Sequence, residues 1–156
     1  MNYEEALRYI NDQEKFGSNL RLDTIRKLLE LLGNPHKDLK YIHIAGTNGK
    51  GSTSSYVATM LEEAGYKVGL FTSPYLERFN ERIAINGADI PNERLAEITE
   101  RVKDRIQIMI QEEYEHPTTF EIITAIGFVY FQEEKVDYVV LEVGLGGRLD
   151  ATNVID

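Results

Sequence analysis

Cysteine is absent from the sequence, which removes disulfides, thiolate nucleophiles and cysteine zinc sites together and fits a reducing compartment. Positive charge is scarce: 17 lysines and arginines face 26 aspartates and glutamates, a formal net charge of −9. A chain of that sign repels a phosphate backbone, so a nucleic-acid partner is not expected, although a local cationic pocket stays compatible with the total. No apolar run approaches the roughly 18 residues of a membrane span, and the acidic start Met1-Asn2-Tyr3-Glu4-Glu5 does not read as a signal peptide. The expectation is a cytoplasmic protein with no membrane partner. Internal repeats, linkers and low-complexity segments are also missing. The histidines at 36, 43 and 116 lack metal-ligand spacing, and there is no serine nucleophile elbow.

What is present is ordinary globular material. With 156 residues, 42% apolar and 28% charged, the chain suffices for one domain with a real core and is too short for two of usual size. Its most informative stretch runs from Tyr41 to Ser52, Tyr-Ile-His-Ile-Ala-Gly-Thr-Asn-Gly-Lys-Gly-Ser. A short apolar run stops at a glycine-rich turn, and a helical pattern follows. Such a turn lets successive backbone N–H groups point at an anion, and the helix adds the positive end of its dipole. Lys50 supplies a full charge that can follow terminal phosphates. The match to the general phosphate-loop pattern is partial, because Ile44 occupies the first glycine position and Gly51, not a hydroxyl residue, follows the lysine. The longer string Gly46 to Ser52 is more specific and resembles the ATP loop of the Mur ligase superfamily. The alternative is a plain strand-to-helix turn with a solvated lysine.

Helical spacing marks residues 3–14, with Ala6, Leu7, Tyr9 and Ile10 on one stripe, and Asp23 to Leu32, with Ile25, Leu28, Leu29 and Leu32. Asp23 is the expected N-cap, Gly33-Asn34-Pro35 the stop, and 16–21 a loop. A strand over 41–45, a helix over about 51–64 and a strand over 67–72 make a βαβ unit with parallel strands and a right-handed crossover. Tyr56, Val57, Met60 and Leu61 are expected on the buried side of that helix, and Phe71-Thr72-Ser73 beside the phosphate loop. A polar loop follows to Arg82, then a short extended piece, Ile83-Ala84-Ile85, ending at Asn86-Gly87. Pro91 opens an amphipathic helix to about Tyr114, with Leu95, Ile98, Val102, Ile106 and Met109 on one side and a Glu97–Arg101 pair on the other. Thr118 and Glu121 have the spacing of a capping box, and the helix after them is apolar nearly all round, hence the most buried. Val136 to Val143 reads as a buried parallel strand, followed by the second glycine-rich loop, Gly144-Leu145-Gly146-Gly147. Two such loops at one sheet edge point to a single pocket.

Glu142 lies in a run of valines and leucines, where an unpaired carboxylate would be costly. A magnesium ion shared with nucleotide phosphates would partner it, with Ser73, or Ser52 in its place, supplying the hydroxyl that Gly51 cannot; pairing with Arg148 or another cation is the alternative. The second glycine loop is a poor dinucleotide match, since Leu149 holds the third glycine position, which disfavours hydride transfer. His43 alternates with Ile42 and Ile44 and fits a packed hydrogen bond better than catalysis.

Gly46 to Ser52, Thr72-Ser73-Pro74, Phe79-Asn80-Glu81-Arg82, Phe120-Glu121 and Leu141 to Asn153 together resemble the folylpolyglutamate synthase/dihydrofolate synthase family. The resemblance runs through the chain from about residue 20. It implies an ATP-dependent amide ligase: a folate or dihydropteroate carboxylate is phosphorylated by ATP, and the amino group of L-glutamate attacks the acyl phosphate. The implied fold is α/β, three-layered, with a mainly parallel sheet of P-loop NTPase-like (Mur ligase central domain) topology. By matching position, Thr47, Asn48, Gly49, Lys50, Gly51 and Ser52 would bind the nucleotide, Lys50 acting as the catalytic cation. Ser73 and Glu142 would bind Mg²⁺, and Thr118, Phe120, Leu149, Asp150 and Ala151 would line the pteridine side. Leu22, Asp23 and Thr24 are a weaker match to a folate-contacting segment. Family members are well over twice this length. Residues 1–156 are therefore expected to be the N-terminal part of the ATP-binding domain, to bind ATP weakly, to be inactive alone and to self-associate through surface exposed by truncation. A P-loop module that binds nucleotide without ligation is the competing expectation.

Overall fold

The computed structural model describes residues 1–13, 22–44, 50–72 and 77–142, with 50–52 described as backbone alone. Helix α1 (Tyr3–Asp12) opens on a capping box between Asn2 and Glu5. Helix α2 (Asp23–Leu31) ends where Gly33 and Asn34 turn to positive φ, and Pro35 then starts a 3-10 turn, Pro35–Asp38. Strand β1 (Tyr41–Ile44), helix α3 (Lys50–Glu63) and strand β2 (Val68–Phe71) follow. A 3-10 turn, Phe79–Arg82, leads into β3 (Ile83–Ile85) and β4 (Ala88–Asp89), a hairpin closed by Asn86 and Gly87 at φ 47° and 80°. Helix α4 (Asn92–Gln111), helix α5 (Thr119–Glu133) and strand β5 (Tyr138–Glu142) complete the described chain.

The sheet order is β1-β5-β2-β3-β4. Strands β1 and β2 each pair in parallel with β5, and β3 and β4 add antiparallel pairs at the far edge. The expected parallel relation of β1 and β2 holds, but they are not neighbours, because β5 stands between them. Ser73 therefore follows a strand that is one place removed from the phosphate-loop strand.

Side chains alternate along these strands and sort the core into two layers. Phe71, Val139 and Leu141 enter the large cluster built with α5, α4, α2 and α1, while Val68 and Val140 join Ala58 of α3 on the other face. Helix α5 is the most buried, from Glu121 through Phe131. Leu95, Ile98, Val102, Ile106 and Met109 of α4 are buried against the same cluster, as their spacing requires. Helix α3 departs from expectation: Tyr56 and Met60 are 70% and 56% exposed. Ser54 and Ala58 take the sheet-facing positions instead, with Val57 and Leu61 partly buried beside them. Small side chains let the helix lie close, and the larger ones turn outward.

Candidate functional site

Three parallel strands end on one edge, and Glu142 is the last residue of the middle one. It stands in register with Ile44 of β1, while Leu141, one residue earlier, stands in register with Phe71 of β2. Strand alternation puts Glu142 on the same face as Val140, which is the face covered by α3. That helix begins at Lys50, so its N-terminal N–H groups and dipole belong to this edge and face. Glu142 is 5% exposed. A buried carboxylate at the strand ends, beside a helix N-terminus, is suited to a hard cation or to a cationic partner.

The opposite face of the same edge is built by α5. Thr118 caps it: the Glu121 N–H donates to Thr118 Oγ1 at 3.2 Å, and the Thr118 N–H donates to Glu121 Oε1 at 2.8 Å. The capping box read from spacing is present, and it keeps Thr118 buried. Phe120 is half-buried and meets Phe71 edge-on, with ring centroids 6.2 Å apart. The Thr124 hydroxyl donates to the Phe120 carbonyl at 2.8 Å, which steadies the first turn. Burial holds the Glu121 carboxyl above its ordinary range, against the lowering effect of the N–H groups it accepts.

A polar knot that spacing does not reveal secures residues 78–82, ahead of β3. Asn80 is 0% exposed. It accepts the Tyr3 hydroxyl at 2.6 Å and donates to the Ile90 carbonyl at 2.7 Å and to Asn92 Oδ1 at 3.0 Å. Arg78 donates to the same Asn92 oxygen at 2.8 Å. The Thr72 N–H donates to the Arg82 carbonyl at 3.0 Å and ties the end of β2 to the start of β3. Asn80 was legible only as one letter of the string Phe79 to Arg82; nothing local announces its partners, which lie up to 77 positions away.

Of the expected site residues, the structure brings Glu142 and the start of α3 to one face of the strand ends, and Thr118 and Phe120 to the other. Lys50, Gly51 and Ser52 form the first residues of α3. Thr47, Asn48, Gly49, Ser73, Leu149, Asp150 and Ala151 lie outside the described residues, as do Arg148 and the 16–21 loop. Asp23 is the first helical residue and not the cap; Leu22 holds the cap position and offers no side-chain acceptor. Among the described residues no group of three or more acidic, histidine or cysteine side chains gathers around a metal position. A magnesium site that needs one or two carboxylates, with nucleotide oxygens completing the shell, fits Glu142 as a donor. No helix among the described residues is long and apolar enough to cross a membrane.

Sheet order, layers and the helix start at the strand ends define an α/β layer of the Mur ligase kind. Superposition supports this: the apo form of L. casei FPGS matches 99% of this chain at a TM-score of 0.94 and 43% identity, using 38% of its own length. The chain is a homologue of the folylpolyglutamate and dihydrofolate synthases. It is 47% identical over 155 residues to the dihydrofolate synthase/folylpolyglutamate synthase of Bacillus subtilis (strain 168), covering 99% of this chain and 36% of that protein. An FPGS-AMPPCP-folate complex matches 99% of this chain and 38% of its own at a TM-score of 0.94 and 42% identity. The chain thus spans little more than a third of the length of the relatives it matches. No protein-family model matches it.

Proposed function

We propose that this chain forms the nucleotide-binding and pteroate-binding part of an ATP-dependent ligase that joins L-glutamate to folate or dihydropteroate. The observation that carries the reading is Glu142, a buried acid at the centre of the parallel strand ends on the face where α3 begins at Lys50. The relatives are named for this activity, and one of them is a complex with AMPPCP and folate.

In this reading Thr47 to Ser52 hold the ATP phosphates with backbone N–H groups, and the α3 dipole favours their charge. Lys50 stabilises charge on the phosphoryl group as it moves to the substrate carboxylate. Glu142 and Ser73 would hold Mg²⁺, which when bound neutralises phosphate charge and orients the phosphates. Thr118, Phe120, Leu149, Asp150 and Ala151 present the pteroate side, so that its carboxylate meets the γ-phosphoryl group across the strand ends. The carboxylate oxygen bonds to phosphorus as the bond to ADP breaks. The glutamate amine then attacks the acyl carbon, phosphate leaves, and the amine proton passes to solvent.

Because the relatives are longer, amide formation is assigned to a polypeptide that carries this chain; the 156 residues alone bind Mg-ATP weakly and make no amide. Calorimetric titration of Mg-ATP into wild type and Lys50→Ala tests the nucleotide half, with affinity expected to fall at least about tenfold. Equal affinities would remove Lys50 from the site. In a polypeptide that carries this chain together with the remaining length of its relatives, ADP release that rises with folate and glutamate supports ligation, while release indifferent to both would make this part a nucleotide-binding module only.

A further inference from the structure

Phe120 is the second residue of α5. Helical side chains lean back over the turn before their own, and at this position there is no such turn to lean on. The helix alone therefore does not fix the ring. The Phe120 carbonyl accepts the Thr124 hydroxyl at 2.8 Å, which steadies the backbone and leaves the side-chain torsion open. The ring itself meets Phe71: the centroids are 6.2 Å apart and the planes cross at 68°, the edge-to-face arrangement that ring quadrupoles favour.

Phe71 is held from behind. It ends β2, is 1% exposed and lies in the large cluster with α5. A Cβ on Gly127 would stand 2.8 and 3.0 Å from two atoms of the Phe71 ring, so the ring fills the space that the glycine leaves. Strand register fixes the backbone on both sides, pairing Phe71 with Leu141 of β5 and with Ile83 of β3. Leu141 precedes Glu142, and alternation turns those two side chains to opposite faces. The ring that meets Phe120 thus stands at the same strand ends as the buried acid, on the other face of the sheet.

We propose that Phe71 is a positioning residue for the pteroate substrate: seated on Gly127, it sets the orientation of the Phe120 ring. This rests on the assignment of Phe120 to folate or dihydropteroate. Phe71 acts through Phe120, whose ring would otherwise turn among its staggered positions. A ring set in advance spares the substrate the cost of ordering it on binding.

Phe71→Leu keeps an apolar side chain and removes the ring edge. Three-bond couplings at Phe120, measured by NMR on the 156-residue chain, read the consequence without any assay of activity. The wild type is expected to show one χ1 rotamer and the variant an average over at least two; a single unchanged rotamer in the variant overturns the proposal. Should Phe71→Leu not fold, Phe71→Met, closer in volume, is read in the same way. In a ligase-competent polypeptide that carries this chain, Phe71→Leu is expected to raise KM for the pteroate substrate about fivefold, with KM for Mg-ATP within about twofold and kcat nearly unchanged. Adding Gly127→Ala returns a methyl group to the vacated space but no ring edge, so KM stays raised. Recovery of KM in that double variant, or a parallel rise in both KM values, would make Phe71 a packing residue only. Phe120→Ala separates the two layers of the argument. A raised pteroate KM in Phe120→Ala with none in Phe71→Leu overturns the positioning role alone, whereas no change in either removes Phe120 from the pteroate side and the positioning role with it.

Discussion

Glu133 sits between two guanidinium groups, 2.8 Å from Arg94 and 2.7 Å from Arg101. The Arg101 and Arg94 hydrogen bonds hold its carboxyl down to about 2, from an ordinary 4.5. The folded-state value is depressed, so the contribution to stability is present above about pH 4.5 and is lost as pH falls toward about 2. Solvent reaches this surface network, and a contribution of about 1 kcal/mol is reasonable after screening. Glu133→Gln is therefore expected to flatten the acid limb of stability over that window, measured as urea midpoints against pH; an unchanged slope would refute it. Spacing pairs Arg101 with Glu97, and that contact exists at 3.5 Å, but the shorter bond of Arg101 goes across to Glu133 of α5. Local spacing reveals partners on one helix and is blind to those on another. For the same reason the Thr118–Glu121 box is legible in the sequence, whereas the knot at Asn80 is not.

Helix α5 approaches the sheet through two glycines, one on each side of the contact. A Cβ on Gly127 of α5 would lie 2.8 Å from the Phe71 ring, and one on Gly69 of β2 would lie 2.7 Å from the Phe131 ring. Each ring occupies the space that the opposing glycine leaves. At Gly127 an alanine gains about 1 kcal/mol of helix propensity, set against about 1–3 kcal/mol for overpacking. At Gly69, within a strand, alanine gains about 0.5 kcal/mol of backbone entropy, but its Cβ meets three atoms of the Phe131 ring, so overpacking dominates. Gly69→Ala is accordingly expected to lower stability by about 2 kcal/mol and Gly127→Ala by about 1 kcal/mol, read from chemical denaturation. Equal or greater stability in both variants would mean that the interface has slack. The apolar character of α5 foretold its burial, but neither glycine could be read as a contact before the sheet was known. Helix α3 shows the converse: its apolar letters fall on more than one face, and the sheet selected Ser54 and Ala58 over Tyr56 and Met60.

At the scale of the whole molecule, the βαβ unit, the extended piece ending at Asn86-Gly87 and the buried strand β5 follow from periodicity and turn chemistry, while β4 and its pairing with β3 do not. The insertion of β5 between β1 and β2 does not, since strand order depends on pairings between distant segments. That insertion gives Glu142 its place, because it moves the acid from an outer strand to the middle of the three parallel ends. The nucleotide reading needs the lysine that opens α3, the acid that ends β5 and the serine that follows β2 to meet at one triphosphate. A crystal structure of the protein with Mg²⁺ and a non-hydrolysable ATP analogue tests this most directly. The account predicts one ion bound by Glu142 and Ser73 at roughly 2.1 Å, with the phosphates at the start of α3. An ion or triphosphate bound away from this edge, with Glu142 paired to an arginine instead, would contradict it.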